Sequence, residues 1–116
     1  VVLEPFASRN PFETWIIPKR HNPDFEDIAG QELESFSHCL KIVGDFFYTE
    51  LNNPPFNYYI HSAPVLIDAS KYFHWHLEFL PKLTIRAGFE IGTGVNINIA
   101  TPEEASDFMR KKLSSF

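Results

Sequence analysis

Tyr72-Phe73-His74-Trp75-His76-Leu77-Glu78-Phe79-Leu80 alternates along its whole length. Phe73, Trp75, Leu77 and Phe79 fall on one side, and His74, His76 and Glu78 on the other, which is the period-two signature of a half-buried strand. The aromatic side is predicted to be core. Asn57 to Ser62 alternates more weakly and is the expected hairpin partner, joined through a loop over Pro64 to Lys71. Upstream, Phe12 to Lys19 reads as a further strand centred on the β-favouring Trp15-Ile16-Ile17. His21 to Asp27 reads as a polar loop. Between the strands, Leu33, Phe36, Leu40, Val43, Phe47 and Leu51 recur at three-and-four spacing, so one long helix is expected from about Gly30 to Leu51. Asn52-Asn53-Pro54-Pro55 ends it, because consecutive prolines remove amide donors and force extended backbone.

Leu83 to Ile99, with Gly88, Gly92 and Gly94, reads as a turn-rich excursion with two short strands. Thr101-Pro102-Glu103-Glu104 marks a second helix: Thr101 can cap, Pro102 suits the first position, and Glu104 can close a capping box. Ala105, Phe108, Met109 and Leu113 continue its buried stripe. Strand, long helix, strands and helix in that order predict an α+β domain, an antiparallel sheet covered on one face.

The chain has 116 residues, enough for one domain with a real core. Fifteen acidic against ten basic side chains give a net charge of -5, which supplies no broad positive field for a nucleic-acid backbone. No apolar run approaches the ~20 residues that cross a bilayer. A lone cysteine, Cys39, cannot form an internal disulfide, and a reduced, cytoplasmic setting is expected. Opening on Val1-Val2-Leu3 without methionine, the sequence reads as a piece of a longer protein.

His74 and His76, two apart on a strand, are expected on one face about 6 to 7 Å apart. If Asn57, Tyr59 and His61 point the same way from the partner strand, three imidazoles converge on a point that suits Zn²⁺ or Fe²⁺. Glu78 shares that face as a fourth ligand, as a partner orienting a ring, or as neither. Two other readings stand beside this one. His-x-His can be a half-exposed pair with no metal, or an imidazole can serve as nucleophile toward phosphorus. The second needs a phosphate cradle, and Gly88-Phe89-Glu90-Ile91-Gly92-Thr93-Gly94 matches neither the P-loop nor the dinucleotide fingerprint. His21 and His38 read as surface residues, and Cys39 as a small core filler.

Trp15-Ile16-Ile17-Pro18-Lys19-Arg20-His21, a long helix, Asn57 to Pro64, and Phe73-His74-Trp75-His76-Leu77-Glu78 together resemble the histidine-triad fold. Glu4-Pro5-Phe6-Ala7-Ser8-Arg9, Pro11-Phe12-Glu13-Thr14-Trp15, His61-Ser62-Ala63-Pro64 and Ala87-Gly88-Phe89-Glu90 narrow the likeness to the second half of the galactose-1-phosphate uridylyltransferase family. The resemblance implies that residues 1–116 are the C-terminal of two histidine-triad-like halves in a UDP-glucose–hexose-1-phosphate uridylyltransferase of galactose metabolism. The nucleophilic histidine, in a His-Pro-His motif absent here, would lie in the N-terminal half. It further implies a metal site, zinc or iron, held by His61, His74 and His76 with a glutamate from the first half. Ala87, Gly88, Phe89 and Glu90 are implied as contacts to the nucleotide sugar bound in a partner subunit of a homodimer, where Phe89 replaces a common tyrosine. Related enzymes act on other nucleotides, ADP-glucose phosphorylase among them. The isolated chain is then expected to be inactive. A free-standing histidine-triad nucleotide hydrolase using His76, or a nucleotide-binding module, is the alternative.

Overall fold

A computed structural model describes residues 1–114. Four strands form one sheet in the order β1-β2-β4-β3: β1 (Val2–Leu3), β2 (Thr14–Ile16), β3 (Phe56–His61) and β4 (His76–Pro81). Every neighbouring pair is antiparallel, with Trp15 opposite Glu78, Tyr59 opposite Glu78, and His61 opposite His76. Helices α1 (Gly30–Glu50) and α3 (Pro102–Leu113) cover one face, and a short α2 (Gly88–Thr93) lies between β4 and α3. The α+β expectation holds.

The core joins Ile16, Leu77 and Phe79 of the sheet to Val43, Phe46 and Phe47 of α1 and Met109 of α3. Alternation therefore leaves Glu13, Trp15, Tyr59, His61, His76 and Glu78 on the face that the helices do not cover. Phe12 has φ 60, a conformation that a bulky residue rarely adopts, at the third position of a turn closed by Glu13 N–H to Asn10 O at 3.1 Å. Its ring packs 5.9 Å from both Phe46 and Phe108, and this burial offsets a strain of about 1 to 3 kcal/mol. The turn is why β2 begins at Thr14 rather than at Phe12 as expected.

Two other elements differ from the sequence reading. Pairing in β4 begins at His76, not at Tyr72, because the preceding amides are taken by loops: Tyr72 and Phe73 donate to Ala69 O, and Trp75 donates to Asn22 O. Leu83 to Ile99 holds no strand but the helix α2. There Glu90 reaches back to Ala87 N–H at 3.3 Å, and Gly94, at φ 73, ends the helix by donating to Glu90 O.

The start of α3 is as read from the sequence: Thr101 Oγ1 accepts from Glu104 N–H at 3.2 Å, and Glu104 Oε2 accepts from Thr101 N–H at 3.3 Å. Thr101→Ala is expected to cost about 1 kcal/mol, read as a lower urea midpoint at unchanged slope. No helix among the described residues is long and apolar enough to cross a membrane.

Candidate metal centre on the open face of the sheet

The ladder between β3 and β4 sets His61 directly across from His76, and their rings stack at 5.0 Å with 27° between planes. Trp15 stacks on the other side of His76 at 4.6 Å. His76 Nδ1 lies 3.0 Å from His74 O. A carbonyl only accepts, so Nδ1 carries the proton and Nε2 presents its lone pair outward. Glu78 Oε1 stands 3.4 Å from His76 Nε2 and 3.3 Å from His61 Nε2. Two electron-pair donors, His76 Nε2 and Glu78 Oε1, thus face each other with His61 Nε2 beside them, an arrangement that a proton or a metal cation between them satisfies.

The spacing fits a metal. Bonds of ~2.0 to 2.1 Å in a tetrahedral site put neighbouring ligand atoms about 3.3 to 3.4 Å apart. All three candidate ligand atoms of His61, His76 and Glu78 lie within 4.8 Å of one another.

The second oxygen of Glu78 is occupied. Oε2 accepts from Arg9 Nη2 at 2.5 Å and from Tyr59 Oη at 2.8 Å. Arg9 also donates to Glu13 Oε1 at 3.1 Å and to Tyr59 Oη at 3.0 Å, while its main-chain N–H donates to Glu13 Oε2 at 2.7 Å. Trp15 Nε1–H completes the shell of Glu13 at 3.1 Å. Glu13 is 1% and Glu78 5% exposed, so one guanidinium serves two buried carboxylates. Burial pushes the Glu78 carboxyl up, but the Tyr59 bond and the charges of Arg9 and His61 outweigh it and hold the pKa below the ordinary value. Burial raises the Tyr59 phenol, helped by its bond to Glu78. Arg9 is held more firmly protonated, chiefly by the bond to Glu13.

The structure brings together His61 and His76, and adds Glu78 to them. His74 is not in the cluster: its Nε2–H donates to Pro18 O at 2.8 Å, and its ring meets His21 edge-on at 5.4 Å. Because pairing starts at His76, His74 lies beyond the end of the ladder and follows the loop toward Pro18. His21 Nε2–H donates to Ser70 O at 2.7 Å. His38 is exposed, and Cys39 packs against the core. Ala87, Gly88 and Phe89 are exposed, and among the described residues no hydrogen bond, ion pair or ring contact joins residues 87–90 to the histidine cluster. Both carboxylate oxygens of Glu90 are engaged locally, by Ala87 N–H and by Ile97 N–H at 3.0 Å.

Sequence reasoning gave no role to Arg9 or Glu13. The available signal was the alternation of Glu13 and Trp15 with the inward Thr14 and Ile16, which sets an acid on the same face as the histidines.

No family model matches the chain. It is 40% identical over 113 residues to an ADP-glucose phosphorylase of Arabidopsis thaliana, a match covering 96% of this chain and 32% of that protein. Over 120 residues it is 36% identical to galactose-1-phosphate uridylyltransferase of Thermotoga maritima, covering 96% of this chain and 37% of the relative. The crystal structure of an ADP-glucose phosphorylase from Arabidopsis thaliana with bound ADP-glucose superposes with TM-score 0.88 at 39% identity, over 95% of this chain and 36% of that one. The chain therefore spans about a third of the length of the relatives it matches. The resemblance drawn from the motifs is borne out, and so is a fold of the uridylyltransferase and histidine-triad kind.

Proposed function

We propose that residues 1–116 form the C-terminal, ion-holding and substrate-contacting domain of a nucleotidyltransferase that moves a nucleotidyl group from a nucleotide sugar to a hexose 1-phosphate. The observation that carries this reading is the cross-strand cluster of His61, His76 and Glu78, in a chain matching only a third of enzymes that handle sugar phosphates and nucleotide sugars. UDP-glucose is the first candidate donor, as the motifs imply. ADP-glucose is the second, favoured by the 40% identity to the phosphorylase.

His61, His76 and Glu78 hold zinc or iron in this reading, and such a cation cross-links β3 to β4. His74 enters the set only by giving up its bond to Pro18 O. The chain's own residues prepare the site: His74 O fixes the tautomer of His76, and Arg9 with Tyr59 turns one oxygen of Glu78 toward the imidazoles. Ala87, Gly88, Phe89 and Glu90 contact the nucleotide sugar from an exposed segment, within a homodimer. The nucleophile belongs to the remainder of the longer protein. A single free cysteine suits a reducing, cytoplasmic setting.

The test is sugar-phosphate exchange. The full-length parent is expected to release glucose 1-phosphate from UDP-glucose or ADP-glucose, while the purified 116-residue chain gives no turnover. Turnover by the chain alone would assign the chemistry to His76 and overturn this division of labour.

A further inference from the structure

Residues 83–97 stand away from the body of the domain. Ile85, Phe89, Ile91 and Val95 are 88%, 59%, 72% and 53% exposed, and no hydrogen bond, ion pair or ring contact joins residues 83–97 to the rest of the described chain. Within itself this arm is well tied. Glu90 accepts from Ala87 N–H and from Ile97 N–H, Arg86 bonds Asn96, and Gly94 closes α2. These bonds tie it into one piece.

Two footholds hold the piece. At its start Lys82 N–H donates to Pro55 O at 2.8 Å, a main-chain bond just beyond the β3–β4 ladder. At its return the hold is a side chain. Asn98 Nδ2 donates to Ser8 Oγ at 2.8 Å and to Ser8 O at 3.2 Å, while Asn98 Oδ1 accepts from Ala100 N–H at 3.1 Å. Asn98 is partly buried between exposed Ile97 and Ile99. The next residue after Ser8 is Arg9, which grips Glu13, Tyr59 and Glu78.

We propose that Asn98 is a positioning residue: by clasping Ser8 it fixes the arm to the turn that organises the open face, and so sets where Ala87 to Glu90 meet a nucleotide sugar. The inference rests on the proposed function for its substrate, and on the geometry alone for the clasp. Asn98 touches no reacting atom in this scheme. Two hydrogen bonds of ordinary net strength, together about tenfold in an equilibrium constant, set the size of the effect.

Two measurements test it. In the chain, Asn98→Ala is expected to drop the backbone amide order parameters of residues 88–97 together, from about 0.85 to below about 0.6, as the arm loosens as a block. Asn98→Asp keeps the acceptor for Ala100 but sets a carboxylate against Ser8 O, and should behave alike. In the parent protein, either variant is expected to raise KM for the nucleotide sugar about tenfold with kcat within about twofold. Unchanged order parameters in both variants would overturn the clasp. Loosening of the arm with KM unaltered, or a loss of kcat at constant KM, would overturn its role in substrate placement. A parent that turns over no nucleotide sugar would remove the proposed function and leave the clasp to be judged by the order parameters.

Discussion

Arg9→Ala is expected to lower folding stability by about 3 kcal/mol at neutral pH. The guanidinium is the cation that meets both Glu13 and Glu78, which are almost wholly buried, and removing it strands two negative charges in one patch of the sheet. The side chain of Arg9 is 45% exposed, so water entering the gap keeps the loss at the lower end of what broken buried pairs cost. Arg9→Lys should rescue little. An ammonium is a single point of charge and cannot engage Glu13, Tyr59 and Glu78 in the fork geometry that the guanidinium provides. Urea unfolding at low salt reads the effect, and a loss under about 1 kcal/mol would mean that the network is an ordinary surface pair.

Glu4→Gln is expected to remove a slope from the pH dependence of stability. Thr14 Oγ1 lies 3.2 Å from Glu4 Oε1 and 3.0 Å from Phe12 O, yet a hydroxyl has one proton to give. A neutral Glu4 resolves this: its carboxyl O–H donates to Thr14, and Thr14 donates to Phe12 O. The other oxygen, Oε2, is buried without a partner, a place for a carbonyl rather than an anion. Burial pushes the Glu4 carboxyl up to about 8; a Thr14 hydroxyl turned to donate to the ionised form opposes this, and the charge of Glu13 adds to it. The folded pKa then lies above the ordinary 4.5, so the stability linked to this proton is full below pH 4.5 and is lost as pH rises to about 8. Between pH 5 and pH 9 the wild-type chain should lose about 4 kcal/mol more than Glu4→Gln does. Parallel profiles for the two proteins would show that Glu4 is ionised throughout.

Much of this architecture is legible in the residues because several signals coincide at one place. Five apolar residues of α1 and Leu51 at its end keep helical spacing up to a double proline, and in α3 Thr101, Pro102 and Glu104 each occupy the position that their chemistry favours. The pairing of His61 with His76 follows from two alternating segments joined as a hairpin. In the excursion after β4 three glycines suggest turns, whereas the start of the helix there is capped by one carboxylate folding back on Ala87. His74 illustrates a different limit. Its alternation continues that of His76, but the amides around it find loop carbonyls, and periodicity carries no information about that competition. The role of Arg9 becomes visible only in three dimensions, because Glu78 is 69 positions away in the chain.

Ion binding to the purified chain is the decisive quantity. Titration with Co²⁺, followed by competition with Zn²⁺ and read by visible absorption and by bound metal per chain, is predicted to give one equivalent in the wild type. His76→Ala and Glu78→Gln should lose it. A chain that takes up no cation, or a His76→Ala variant that binds as tightly as the wild type, would contradict the account.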